Sequence, residues 1–209
     1  MASNLRLRRI FKPLVTLLAK GLIKIRVSPN LATVIMLFLS ILSFFALGYF
    51  GNLFFFSIFV FMTGIFDGID GSIARLTNRK TPFGGFFDSV MDRFSEFIIF
   101  FALIIYNWST VLWNFLDMRL IIFIISFASI MISYCRARAE VFFKGDFDIG
   151  LMARSERLFY IFLTMLLAFF YGFSSELLFI FMWLVIGTLI FRFKRIYHII
   201  KMRNFQERE

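Results

Sequence analysis

The chain has 209 residues, of which 60% are hydrophobic and 17% charged, with 34 Phe and a formal net charge of +10. That apolar share excludes an ordinary soluble domain and leaves a single-domain polytopic membrane protein, residues 1–209. The lone Cys135 excludes an internal disulfide and any CxxC metal or redox pair. No nucleic-acid partner is expected.

Residues 4–26 mix Leu, Ile, Val and Phe with Arg6, Arg8, Arg9, Lys12, Lys20, Lys24 and Arg26. Charges that frequent forbid a span, so residues 1–27 are expected to form an amphipathic helix on the membrane surface, held partly by anionic lipid. The start has no apolar stretch followed by a small-residue cleavage site, so no cleavable leader is expected. Pro13 starts or kinks the surface helix. Ser28 and Pro29 then provide a cap and a first helical position.

Residues 28–200 divide into six expected transmembrane helices: about 31–50, 53–76, 83–106, 118–141, 155–172 and 176–199. The expected fold is therefore an all-α membrane protein, six spans preceded by an amphipathic surface helix. In the second span a mainly apolar run of fourteen residues, Leu53–Phe66, precedes Asp67. At ~1.5 Å each they put it about 21 Å from the far face of a ~30 Å core. Counting back from Tyr106, Asp92 lies at a similar depth in the third span. Lys and Arg on the side nearer these Asp residues number seven in 1–30, four in 67–96, five in 136–157 and six in 192–209. Of the 23, only Arg119 is on the other side. By the positive-inside rule the protein sits in the cell membrane with both termini and the Asp residues facing the cytoplasm.

Intramembrane carboxylates are costly and usually functional. Asp67, Asp70, Gly71 and Ala74 share one helix face within roughly 100° of arc. Gly84, Asp88 and Asp92, four apart, form a row on the next helix. Thr81 and Pro82 make the turn between the two helices. Antiparallel packing would bring Asp67, Asp70, Asp88 and Asp92 around a divalent metal, Mg²⁺ or Mn²⁺.

These residues complete the pattern D-x2-D-G-x2-A-R-x8-G-x3-D-x3-D through Asp67, Asp70, Gly71, Ala74, Arg75, Gly84, Asp88 and Asp92. The pattern resembles the signature of the CDP-alcohol phosphatidyltransferases. The resemblance implies metal-dependent transfer of a phosphatidyl-type group from a CDP-linked lipid, CDP-diacylglycerol or CDP-archaeol, to an alcohol, with release of CMP. It implies that Asn30, Leu31, Ala32 and Thr33, with Gly71, Arg75 and Thr81, contact the CDP-lipid. The residues themselves fit this at Gly71 (close backbone approach), Arg75 (diphosphate charge) and Thr81 (a hydroxyl in the covering loop), whereas helix capping alone explains 30–33. Asp92 is expected to complete the metal site and act as general base on the acceptor hydroxyl. A homodimer is expected from the resemblance alone.

A second cluster, Arg136, Arg138, Lys144, Arg154 and Arg157, surrounds a loop on the same side. Lys144 reads as positive-inside anchoring. Arg is suited to bidentate phosphate binding. The run Ser133–Glu140, followed by Gly150, Arg154, Glu156 and Arg157, is similar to the phosphatidylinositol phosphate and archaetidylinositol phosphate synthase branch. There Arg136 and Arg154, with Arg192 near the end of the last span, correspond to the acceptor-phosphate pocket. Arg157, one turn from Arg154, joins them. Inositol 1-phosphate is the expected acceptor, and glycerol 3-phosphate, another phosphorylated polyol, is the alternative. A cation transporter using the Asp quartet is the alternative from another class. His198 reads as interfacial.

Overall fold

The structure is a computed structural model that describes residues 7–142 and 150–206, without the side chains of Arg8 and of residues 203–206. Lys144 and the start of the expected surface helix lie outside the described residues. Apart from one small hairpin, the described regular structure is helical: α1 (Leu7–Ile10), α2 (Lys12–Lys24), α3 (Pro29–Phe44), α4 (Leu53–Leu76) and α5 (Pro82–Tyr106) come first. The antiparallel pair β1 (Val111–Leu112) and β2 (Leu116–Asp117) follows, then α6 (Met118–Phe142), α7 (Arg154–Tyr171) and α8 (Ser174–Gln206).

Helix boundaries follow the caps. Ser28 accepts from the Leu31 N–H at 3.2 Å, with Pro29 behind it at the first helical position. Asn52 caps α4 through the Phe55 N–H at 3.0 Å, and Thr81 caps α5 through the Gly84 N–H at 3.0 Å. α3 ends in a π-helical turn, Phe45–Tyr49, and Gly51 takes a φ of 62° to turn the chain into α4. Gly172, at a φ of 80°, ends α7.

Among the described residues, four helical segments are long and apolar enough to cross a membrane: Pro29–Tyr49, Leu53–Leu76, Met118–Phe142 and Ser174–Met202. α5 and α7 fall outside that set; α5 carries Asp88, Asp92, Arg93 and Glu96, and α7 carries Arg154, Glu156 and Arg157. Both pack within the bundle, α5 against α3 and α6, α7 against α4 and α8. Phe56, Ile99, Leu103, Ile122 and Phe181 fill the centre, each 0% exposed. Phe38, Phe55, Phe97, Phe101, Phe123 and Phe127 point outward. Such an outward apolar surface suits lipid rather than water.

Between helices in lipid no hydrophobic force drives association, so close approach over small residues matters more. α4 presents such a face: a Cβ on Gly64 would touch Leu158 of α7 at 3.8 Å, and one on Gly68 would meet Val15 of α2 at 3.2 Å. A second apolar cluster, Val15, Ala19, Ala32, Ile65, Ile69 and Ile73, joins α2, α3 and α4. At the other end, Arg119 bonds Asp117 from Nε to Oδ1 at 3.0 Å and stacks over Trp108 at 5.2 Å. Its side-chain bonds hold the Asp117 carboxyl below the usual carboxylate range.

Candidate active site

α4 and α5 present their carboxylates to one another as the four-residue and three-residue spacings require. One oxygen each from Asp67, Asp88 and Asp92 lies within 4.8 Å of the others. Asp70 takes a neighbouring place: its Oδ2 accepts from Thr33 Oγ1 at 2.9 Å, and its carboxyl lies against that of Asp88. Asp67 and Asp70 are buried, 6% and 4% exposed, deep enough that uncompensated negative charge would be costly. Three converging anionic oxygens in a buried setting fit a hard divalent cation such as Mg²⁺ or Mn²⁺. Of the four expected ligands, Asp67, Asp88 and Asp92 form this set, and Asp70 sits behind it on Thr33.

One cation already faces the cluster. Arg154, at the first position of α7, bonds Asp67 and Asp92 through Nη1, while its Nη2 donates to Ser95 Oγ at 2.7 Å and approaches Met36 Sδ at 3.5 Å. Arg157 is 0% exposed and engages Glu96 with both arms of its fork, Nε to Oε1 at 2.6 Å and Nη2 to Oε2 at 2.8 Å. Its Nη1 donates to the Met152 carbonyl at 3.0 Å. Ser95 and Glu96 were missed in the sequence. They lie three and four residues after Asp92, on the same face of α5, and that spacing was the available signal.

Two cavities meet at the carboxylates. The first, about 540 Å³, is lined by Asp67, Asp70, Asp88, Gly71, Ser72 and Arg75, and by α1, α2 and α7 residues including Arg9, Lys12 and Phe159. Arg75 Nη2 donates to Ser72 Oγ at 3.0 Å, and a Cβ on Gly71 would stand 3.3 Å from Arg75 Nη1. Gly71 therefore makes room for the guanidinium. Asn30, Leu31, Ala32, Thr33 and Thr81 are not among the residues lining this cavity. They gather on the α3 and α5 side of α4, where a Cβ on Gly84 would meet Thr81 Oγ1 at 3.0 Å and Asn30 Oδ1 at 3.4 Å.

The second cavity, about 280 Å³, is lined by Asp67, Asp88 and Asp92 and by Arg136, Arg154, Arg157 and Arg192. Arg192 is buried and donates from Nη1 to the Ile132 carbonyl at 3.1 Å, and Arg136 Nε donates to Glu140 Oε1 at 2.8 Å. Gly150, at a φ of 120°, lies so close to α8 that a Cβ would stand 2.9 Å from Thr188 Cγ2. That contact, one helical turn before Arg192, holds Gly150 against α8.

A helical bundle whose carboxylate cluster is shared by two cavities that basic side chains also line is suited to metal-assisted phosphoryl transfer, where catalysis is mostly positioning and charge neutralisation. The family profile described as CDP-alcohol phosphatidyltransferase matches residues 26–191, and the chain belongs to that family. It is a transferase, and the transporter alternative falls with this membership. Among its relatives, the archaetidylinositol phosphate synthase of Pyrococcus horikoshii is 32% identical over 149 residues, 71% of this chain and 74% of the relative. The phosphatidylinositol phosphate synthase of Mycobacteroides abscessus is 31% identical over 157 residues, 75% and 70% of the two chains. The crystal structure of the Mycobacterium tuberculosis phosphatidylinositol phosphate synthase with CDP-DAG bound is 24% identical and has a TM-score of 0.76, covering 88% of this chain and 93% of that one. A structure of that protein with manganese and citrate also has a TM-score of 0.76, covering 88% of each chain. At that identity the likeness shows the fold.

Proposed function

We propose that the chain transfers a phosphatidyl-type group from CDP-diacylglycerol or CDP-archaeol to inositol 1-phosphate and releases CMP. The observation that carries this reading is the second cavity, which sets a ring of arginines against the carboxylates. A phosphate dianion would be repelled by Asp67, Asp88 and Asp92 unless cations held it apart from them. Arg136, Arg154 and Arg192 are placed to do so, with Arg157 held on Glu96 as the strut beneath them. The relatives named for inositol phosphate lipids support the same acceptor.

Asp67, Asp88 and Asp92 would hold a divalent ion, whose charge would offset that of the donor's diphosphate. Arg75 holds the diphosphate from α4, with Gly71 allowing its close approach, and Asn30–Thr33 and Thr81 cover the nucleotide from α3 and the start of α5. Asp92 lines the second cavity beside Asp67 and Asp88, which line both cavities, and from there it orients the acceptor hydroxyl and takes its proton. The hydroxyl oxygen bonds to the β-phosphorus as the bond to CMP breaks. Thr33 keeps Asp70 oriented behind this set.

The same reading places six spans in the membrane, with α5 and α7 turning their charged residues into the bundle, and residues 1–27 on its surface. The carboxylates and both termini face the cytoplasm. The single far-side Arg119 is outweighed by the other 22 Lys and Arg. A homodimer, expected from the family resemblance, completes the assembly.

The test is the acceptor's Michaelis constant. Losing one charge-assisted phosphate contact costs about 1.5–3 kcal/mol, so Arg136→Ala or Arg192→Ala is expected to raise that constant roughly ten- to a hundredfold. The donor's constant should hold. A rise in the donor's constant instead would assign the arginines to the CDP-lipid and leave an uncharged alcohol as acceptor.

A further inference from the structure

The first cavity has a wall that the signature residues do not account for. α1 and α2 precede residue 26, where the family match begins, yet Arg9 and Lys12 line this cavity together with Asp67, Asp70, Asp88 and Arg75. Packing fixes their position. Val15, three residues after Lys12, packs tightly on Gly68, where a Cβ would stand 3.2 Å from it, immediately beside Asp67. Ala19, the next turn on, is 0% exposed. Phe11, between the two basic residues, sets its ring 5.8 Å from that of Phe61 on α4 and 5.9 Å from that of Phe159 on α7. The first turn of α2 is thus held on two helices of the bundle rather than merely resting on a membrane.

The charges of the cavity point the same way. Three carboxylates, Asp67, Asp70 and Asp88, face three cations, Arg9, Lys12 and Arg75. A divalent ion and a diphosphate entering together bring opposite charges of equal size, so the cavity remains balanced only if Arg9 and Lys12 are counted. With Arg75 alone, the carboxylates lining the cavity would outnumber its lining cations by two, of which Arg154, bonded to Asp67 from the second cavity, offsets one, and the entering diphosphate would meet net repulsion. Beyond the charges, Val60, Phe61, Leu158 and Phe159 continue the wall with apolar surface suited to the start of a lipid tail.

We propose that Arg9 and Lys12 bind the donor, contacting the diphosphate of the CDP-linked lipid from the wall formed by α1 and α2 while Arg75 contacts it from α4. This inference rests on the donor reading given above. If the basic residues of α2 served only to attract anionic lipid, Lys12 would be interchangeable with Lys20 and Lys24, which are exposed as Lys12 is but do not line the cavity.

The experiment uses the full chain in nanodiscs of fixed anionic-lipid content, with dioctanoyl CDP-diacylglycerol as donor and Mg²⁺ present. The donor's Michaelis constant and CMP release are followed in the wild type, Arg9→Gln/Lys12→Gln and Lys20→Gln/Lys24→Gln. Direct binding of the same donor is measured by titration calorimetry, and the charge-conserving Arg9→Lys/Lys12→Arg variant guards against a mere loss of folding. The first double variant is expected to weaken donor binding about tenfold or more, with the acceptor's constant within about twofold of wild type. The Lys20/Lys24 variant and the charge-conserving variant should keep donor affinity. An unchanged donor constant in Arg9→Gln/Lys12→Gln, or an equal loss in Lys20→Gln/Lys24→Gln, overturns the proposal and leaves the transferase reading intact. A wild type that neither binds the donor nor releases CMP overturns the donor reading itself.

Discussion

Removing Glu96 tests the internal support of the acceptor wall. α7 packs on α4 and α8, α5 on α3 and α6, and long side chains bridge the gap between α5 and α7: Arg154 to Asp92 and Ser95, Arg157 to Glu96. Arg157 is 0% exposed and has both arms of its fork on one carboxylate. Glu96→Ala leaves that cation buried and uncompensated, a loss of about 3–5 kcal/mol where a buried pair is broken from one side. For a chain of this size that corresponds to a fall in melting temperature of roughly 6–20 °C. Replacing both partners with apolar residues of similar volume, Glu96→Leu with Arg157→Met, should recover most of the loss, because both desolvation penalties vanish together. The assay is thermal unfolding of purified protein in one detergent for wild type, the single and the double variant. A single variant that melts within about 2 °C of wild type would refute the reasoning, as would a double variant no more stable than the single. The double variant should still show a raised acceptor constant, since Arg154 loses the framework that fixes the first turn of α7.

Asp92→Asn is expected to lower turnover by at least about a hundredfold while donor affinity holds, measured as calorimetric binding and CMP release on one preparation; equal loss of both would make Asp92 a ligand and nothing more. Asp67→Asn and Asp88→Asn should each nearly abolish transfer and weaken Mn²⁺ binding followed by electron paramagnetic resonance, and unchanged Mn²⁺ affinity would contradict the triad. Gly150→Ala forces a Cβ to 2.9 Å from Thr188 at a φ that side chains rarely adopt, so it should destabilise the loop and raise the acceptor's constant more than the donor's; equal constants to wild type would show the loop is not a wall of that cavity. Thr33→Val removes the 2.9 Å bond to Asp70 and should weaken donor binding with the acceptor's constant unmoved, read from paired kinetics.

The helices were legible because their signals are local. The apolar run before Asp67, the cap at Ser28, the turn at Thr81 and Pro82 and the four-residue row Gly84, Asp88, Asp92 each state a helix, its start or its face within a few residues. The β-hairpin at Val111–Asp117 and the π-helical turn at Phe45–Tyr49 were not read, since each departs from a regular period over very few residues. The carboxylate cluster was legible from spacing, but its internal order was not. That Asp70 turns to Thr33 while Asp67, Asp88 and Asp92 converge depends on how α3 crosses α4, and no spacing within one helix carries that. The arginines were named correctly as lining residues of one cavity, yet the sequence could not divide Arg154, which faces Asp67 and Asp92, from Arg157, which is buried on Glu96. The two are three apart on one helix, and only the position of α5 separates them.

The most direct test of the central claim is CMP release by the purified protein from CDP-diacylglycerol and, separately, CDP-archaeol, each offered with inositol 1-phosphate, glycerol 3-phosphate, serine or free inositol in Mg²⁺. Release is predicted with inositol 1-phosphate, far slower with every other acceptor, and abolished by excess EDTA. Release that is faster with glycerol 3-phosphate, that needs no phosphate on the acceptor, or that persists in EDTA would contradict the account.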